Sequence, residues 1–227
     1  MPLSPVIQRH KSLDSTNEEA KRIGLQGAPD GTIIVAEKQE QGRGREGRLW
    51  ESPAVGNLYA SIILRPALSM DQIPRLTVMT GVALARFLRK EIPLEVVLKW
   101  PNDIYYNGKK LGGILCEAEA KKDGALDFVV IGIGLNINAN LKDFSPKIRK
   151  TATSLSIELK KRVATGLPLG TVRLERSLRG CPSTGPVFTP EKILNSFLPY
   201  FEEEYKKMPK ESWEMLQKRF SILSVPF

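Results

Sequence analysis

The chain has 227 residues, 41% of them hydrophobic, which is enough for one large domain, or one domain with a small appendage, around a real core. Cys116 and Cys181 are the only cysteines and His10 the only histidine, a composition that speaks against a zinc site, a disulfide framework and Ser-His-Asp hydrolysis. No apolar run approaches the roughly 18 to 20 residues that span a bilayer, and Met1 to Arg9 lacks the apolar centre of a signal peptide. A cytoplasmic protein is expected, and its net charge of +9 suits nucleic acid, anionic small molecules or a surface of scattered, solvated Lys and Arg.

Leu13-Asp14-Ser15-Thr16-Asn17-Glu18-Glu19 reads as a helix start, with Asp14, Ser15 or Thr16 as cap and an acid three residues on, and the helix should run to about Leu25. Ser15-Thr16-Asn17 either only cap it or also offer donors and acceptors to a polar ligand head. Thr32 to Ala36 is a buried strand leading into Gln39 to Trp50, where Gly42, Gly44 and Gly47 alternate with Arg43, Arg45 and Arg48 before the Trp50 ring. Glycine permits close backbone approach and arginine grips phosphate or carboxylate, so this loop suits an anionic ligand with an aromatic ring, such as ATP. The Gly42-x-Gly44-x-x-Gly47 spacing matches a dinucleotide fingerprint in letters only, because that fingerprint needs a strand-turn-helix context and here a Pro53 break and a strand follow.

Asn57 to Arg65 is a second strand. Asp71 to Lys90 is a helix with Leu76, Met79, Ala83 and Phe87 on one face and Pro74 in its first turn. Glu95 to Leu98 is a strand ending at Lys99-Trp100-Pro101-Asn102-Asp103. Three further segments, Ile104 to Tyr106, Lys110 to Glu117 and Phe128 to Asn138, are joined by turns at Asn107-Gly108 and Lys122-Asp123-Gly124 into an antiparallel meander. Gly112, Gly113, Gly132 and Gly134 weaken those strands unless something packs against the backbone, either a ligand or a bulge or helix. The pattern fades after Leu159, and residues 161–189, basic and rich in Gly and Pro, read as a loop or insertion without chemistry. Pro190 to Lys207 is helical with Ile193, Phe197, Phe201 and Tyr205 on one side, kinked or split at Pro199; Trp213, Leu216 and Phe220 mark one more short amphipathic stretch.

Carboxylate activation at the α-phosphate of ATP brings two anions together and needs fixed positive charge between them rather than an enzyme nucleophile. Arg43, Arg45, Arg48 and Lys99 are the right types. Gly42-Arg43-Gly44-Arg45-x-Gly47-Arg48-x-Trp50, Lys99-Trp100-Pro101-Asn102-Asp103, Lys110-Leu111-Gly112-Gly113-Ile114-Leu115 and Gly132-Ile133-Gly134-Leu135-Asn136-Ile137-Asn138, with Asp14-Ser15-Thr16-Asn17 and Thr153-Ser154-Leu155, resemble the signature blocks of biotin protein ligases, in the family's order.

The resemblance implies an α+β catalytic core like that of class II aminoacyl-tRNA synthetases, a mixed, largely antiparallel sheet flanked by helices. It implies that biotin and MgATP give biotinyl-5′-AMP and pyrophosphate, and that biotin passes to a lysine in the acceptor domain of a biotin-dependent carboxylase. Carried over by motif, Lys99, Arg45 and Arg48 are the catalytic residues. Ser15, Thr16, Asn17, Gln39, Gly42, Arg43, Gly44, Arg45, Lys99, Gly113, Leu115 and Gly132 meet biotin. Arg45, Arg48, Trp50, Asn102, Asn136 and Thr153 meet ATP, and the Mg2+ ligands stay unassigned. Residues 1–207 form the catalytic domain and 208–227 a short extension where the family commonly has a β-barrel. Too few residues precede Ser15 for a helix-turn-helix, so no DNA binding is expected; a homodimer is a possible assembly. A lipoate ligase or octanoyltransferase is the nearest alternative, and an RNA-binding protein using the Arg-Gly segment a more distant one.

Overall fold

The computed structural model describes residues 6–92, 94–165 and 188–224. Their frame is a seven-stranded sheet of β1 (Ile7–Leu13), β2 (Ile33–Gln39), β3 (Leu58–Leu64), β4 (Val97–Lys99), β5 (Asp103–Tyr106), β6 (Lys109–Ala120) and β7 (Leu126–Leu135), in the order β1-β2-β3-β7-β6-β5-β4. Only β1 and β2 run parallel; every other neighbouring pair is antiparallel. The mixed, largely antiparallel sheet and its meander agree with the sequence reading. Asn107 and Gly108 turn the β5–β6 hairpin with φ of 46° and 71°, the left-handed pair that a two-residue turn requires. Strand β1 escapes the sequence analysis because Gln8, Arg9, His10, Lys11 and Ser12 show no apolar alternation; it is an edge strand defined by its pairing with β2.

Alternation along the strands divides the sheet into two faces. On the core face, Ile33, Ile62, Val129 and Ile131 pack against α2 (Ile73–Glu91), α4 (Pro190–Lys207) and α5 (Trp213–Ile222). The helix read from Leu76, Met79, Ala83 and Phe87 is α2, with Pro74 in its first turn, and those four side chains are buried. Helix α4 passes through Pro199 unbroken: the proline lies on the exposed side while Phe197, Leu198 and Phe201 bury the stripe that holds the helix in place. Where the three helices meet, the fully buried Glu204 carboxylate pairs with Arg86, Arg219 and Lys207, the last at 3.1 Å.

On the opposite face, α1 (Thr16–Leu25) lays Ala20 and Ile23 on Ile34, Ile63, Phe128 and Val130. A further helix, α3 (Leu155–Ala164), follows Ser154, whose Oγ accepts from Ile157 N at 3.1 Å. The stretch 161–189, expected to be a loop or insertion, begins instead as the last turn of α3, which ends at Ala164; residues 166–187 lie outside the described residues. No helix of the described residues is long and apolar enough to cross a membrane.

Candidate functional site

The β6–β7 register sets Gly113 opposite Gly134, Leu115 opposite Gly132 and Glu117 opposite Val130, all on the α1 side of the sheet. Close packing there excludes side chains. A Cβ at Gly132 would stand 2.2 Å from Asn17 Oδ1, and one at Gly134 2.7 Å from the Trp50 indole. Gly112 points towards Leu135 and Ile104 of the core, so three of the four glycines form the floor, and what packs on them is the protein's own Trp50 and Asn17.

Above this floor is a cavity of about 180 Å³. Ser15, Thr16, Asn17, Gln39, Arg43, Gly44, Arg45, Arg48, Trp50, Asn102, Gly113, Leu115 and Gly132 line it, together with Lys110 and Asp103. One end is a hydrogen-bonded polar head. Thr16 donates from N and Oγ1 to Gln39 Oε1 at 2.8 and 3.0 Å, and Gln39 Nε2 donates to Ser52 Oγ at 2.7 Å. The buried Ser61 Oγ lies 2.8 Å from Thr16 Oγ1 and 2.6 Å from Asn17 Oδ1. Sequence reasoning missed Ser52 and Ser61, which carry no motif signal: Ser61 is placed by the register of β3 and Ser52 by an isolated bridge to Gln39 after the arch.

The Gly-Arg stretch arches over the cavity as an irregular hairpin, with Gly44 N donating to Arg48 O at 2.7 Å and Trp50 N to Gly42 O at 2.8 Å. Gly42 belongs to the arch rather than to this cavity's wall; a Cβ there would strike Trp50 O at 2.3 Å. Glu46 and Gly47 make the tip with φ of 58° and 72°. Arg43 pairs with Glu18, Arg45 Nη1 extends to Asn102 Oδ1 at 3.5 Å, and the exposed Arg48 guanidinium pairs with Glu46 at 3.0 Å. Past the arch, the buried Tyr59 hydroxyl, whose pKa burial pushes well up, donates to Pro53 O at 3.1 Å.

A second cavity of about 140 Å³ adjoins the first, walled by Trp50, Lys110, Asn136, Phe144, Ile148 and Ala152. Trp50 and Lys110 face both. Lys110 Nζ lies 2.8 Å from Asp103 Oδ1 and 5.3 Å from the Trp50 ring centroid, while the buried Trp50 Nε1 has no hydrogen-bond partner among the described residues. Asn136 lines this second cavity and donates from Nδ2 to Thr153 O at 3.0 Å; Thr153 stands behind the wall, fully buried, with Oγ1 donating to Glu158 at 2.5 Å.

Lys99 is the residue that the geometry sets apart from the others. It lines neither cavity; it is exposed at the end of β4, with Nζ 5.3 Å from the centroid of the Tyr105 ring. Lys110 takes the position between them because β6 starts beside both β5 and the Thr151–Thr153 segment, its N donating to Thr151 O at 2.7 Å and its carbonyl accepting from Thr153 N at 2.9 Å. A register shift between Ile104 and Tyr105 lies in the same hairpin. Counting along the sequence does not reveal that shift.

A glycine floor, a cationic arch and a lysine at the seam of two cavities suit an elongated ligand of two parts with negative charge near their junction. The chain belongs to the biotin/lipoate A/B protein ligase family, whose model matches residues 10–136. It is 37% identical over 187 residues to the bifunctional ligase/repressor BirA of Bacillus subtilis, covering 82% of this chain and 57% of that protein. It is 38% identical over 128 residues to the biotin–[acetyl-CoA-carboxylase] ligase of Paracoccus denitrificans, covering 55% and 51%. The chain thus spans little more than half the length of these relatives. Among solved structures, the biotin protein ligase of Aquifex aeolicus in complex with biotin and ATP superposes with a TM-score of 0.71 at 27% identity, over 96% of this chain and 78% of that one.

Proposed function

We propose that this protein activates biotin with ATP and transfers it to a lysine of the acceptor domain of a biotin-dependent carboxylase. The observation that carries this reading is Lys110 at the seam between a polar head cavity and a cavity walled by an aromatic ring and Asn136. Biotin's ureido head meets Ser15, Thr16, Asn17 and Gln39, and its tail runs over Gly113, Leu115 and Gly132 beneath Arg43 and Gly44. The nucleotide base takes the second cavity, against Trp50 and Asn136.

A biotin carboxylate oxygen then attacks the α-phosphorus; the bond to the bridging oxygen breaks, and pyrophosphate leaves with the electron pair. Lys110 supplies the cation between carboxylate and α-phosphate, the role that motif carry-over assigns to Lys99, and Arg45 and Arg48 face the phosphates. In the second step the acceptor amine attacks the acyl carbon and AMP leaves, with the arch shielding the mixed anhydride from water until then. Mg2+ would enter with the nucleotide; Asp103, which lines the first cavity, is the carboxylate that would face it, and the ion would neutralise charge on the leaving pyrophosphate.

The test is biotin transfer to a carboxylase acceptor domain, with and without ATP and Mg2+; incorporation only with both supports the reading, and none under any condition defeats it. Calorimetric titration with biotin and with lipoate decides between the two ligase activities of the family, with biotin expected to bind and lipoate not.

A further inference from the structure

Glu117 continues the row Gly113, Leu115 along β6 and ends the floor beneath α1. Asn17 and Lys21, one turn apart on α1, both reach it: Asn17 Nδ2 donates to Glu117 Oε2 at 2.7 Å, and Lys21 Nζ donates to Oε1 at 2.9 Å. Arg43 of the arch comes within 3.8 Å of that same oxygen and pairs with Glu18, which Lys21 also holds at 2.8 Å. Two acids of the body thus share Lys21 and meet the first arginine of the arch. Burial pushes the Glu117 carboxyl up, but hydrogen bonds from Asn17 and Lys21 and the charges of Lys21 and Arg43 outweigh it, leaving the group lowered and ionised.

An ionised carboxylate can only accept, so it selects the orientation of the Asn17 amide: Nδ2 towards Glu117 and Leu115 O, Oδ1 towards Ser61 and the floor at Gly132. One side chain therefore touches both the polar head of the cavity and the anchor of the loop that covers it.

We propose that Glu117 is a positioning residue that orients Asn17 for the ligand head and, with Glu18, docks Arg43, coupling occupancy of the head cavity to closure of the Gly-Arg arch. This rests on the ligase reading above. A neutral glutamine of the same shape can donate to Asn17 and so permits the amide to flip, and it no longer attracts Arg43.

The experiment compares wild type, Glu117→Gln, Glu117→Asp, Arg43→Ala and Glu117→Gln/Arg43→Ala in biotin-dependent pyrophosphate release and in the dissociation of preformed biotinyl-AMP. Loss of a charged hydrogen bond and a half-exposed ion pair predicts a KM for biotin raised about tenfold and adenylate release faster by about fivefold in Glu117→Gln. The KM for ATP and the saturated rate should stay within about twofold, a split that a general loss of structure would not produce. Glu117→Asp keeps the charge and should recover most of the retention, and the double variant should release adenylate no faster than about the worse single one. Wild-type KM and release in Glu117→Gln, or effects of the two single changes that multiply in the double variant, overturn the coupling. A wild-type protein that releases no pyrophosphate with biotin and ATP overturns the ligase reading itself, and the coupling with it.

Discussion

The two faces of the sheet are built from opposite materials. On the core face, α2, α4 and α5 cover the strands with Leu, Ile, Val and Phe, and the charged cluster at Glu204 is satisfied by three cations of the protein itself. On the α1 face, the central strands lose their side chains at Gly113, Gly132 and Gly134, and Arg43, Arg45 and Arg48 cross above them, two paired with acids at the surface and the third reaching Asn102. One face completes its interactions internally and the other leaves room and charge for a guest. Stability and chemistry should therefore separate by face, and substitutions offer ways to break or sharpen that separation.

The largest stability effect is expected on the core face. Glu204→Gln leaves Arg86, Lys207 and Arg219 around a neutral group and should cost about 3–5 kcal/mol, read from urea unfolding. Adenylation per folded molecule should be unchanged. The Glu204 carboxyl is shifted down: burial raises it, but the hydrogen bonds of Arg219 and Lys207 and their charges prevail. Its contribution is therefore complete above the ordinary carboxylate range and lost as pH falls through the lowered folded value, so the gap between wild type and variant should narrow only in acid.

Intermediate effects belong to the floor, and they should differ from one glycine to the next. Gly132→Ala displaces Asn17 and should weaken biotin by roughly 10-fold or more with a smaller effect on ATP, whereas Gly134→Ala displaces Trp50 and should do the reverse. Titration of each ligand checks the pair; equal losses for both ligands would erase the assignment of the two cavities. The smallest effect is that of Arg48→Gly. Because Arg48 and Glu46 are exposed, their pairing is worth at most about 1 kcal/mol and stability should hardly move. Adenylate dissociation should quicken by a few-fold.

The same division explains what was legible in the sequence. Helix α2, strands β2 and β3 and the meander are written in local periodicity and turn residues such as Asn107-Gly108, so their existence follows from the letters. Strand β1 is not, because its polar residues become a strand only through pairing with β2. Helix α3 shows little beyond Leu155 and Leu159, which make sense only against the core. In the site, the glycine strands signal a close approach without saying that Trp50 and Asn17 make it. Lys110 and Lys99 are equally plausible as letters; the pairing of β6 with the Thr151–Thr153 segment puts one at the seam of the cavities, and the end of β4 leaves the other on the surface.

That pair of lysines offers the most direct test. Biotin-dependent exchange of pyrophosphate into ATP, measured for wild type, Lys110→Met and Lys99→Met, isolates the adenylation step from the acceptor. Removing the cation between two reacting anions should lower exchange at least ~100-fold in Lys110→Met, with an unchanged melting temperature, while Lys99→Met stays within about twofold of wild type. Full exchange by Lys110→Met, or its loss in Lys99→Met alone, would contradict the placement of the chemistry at the seam of the two cavities.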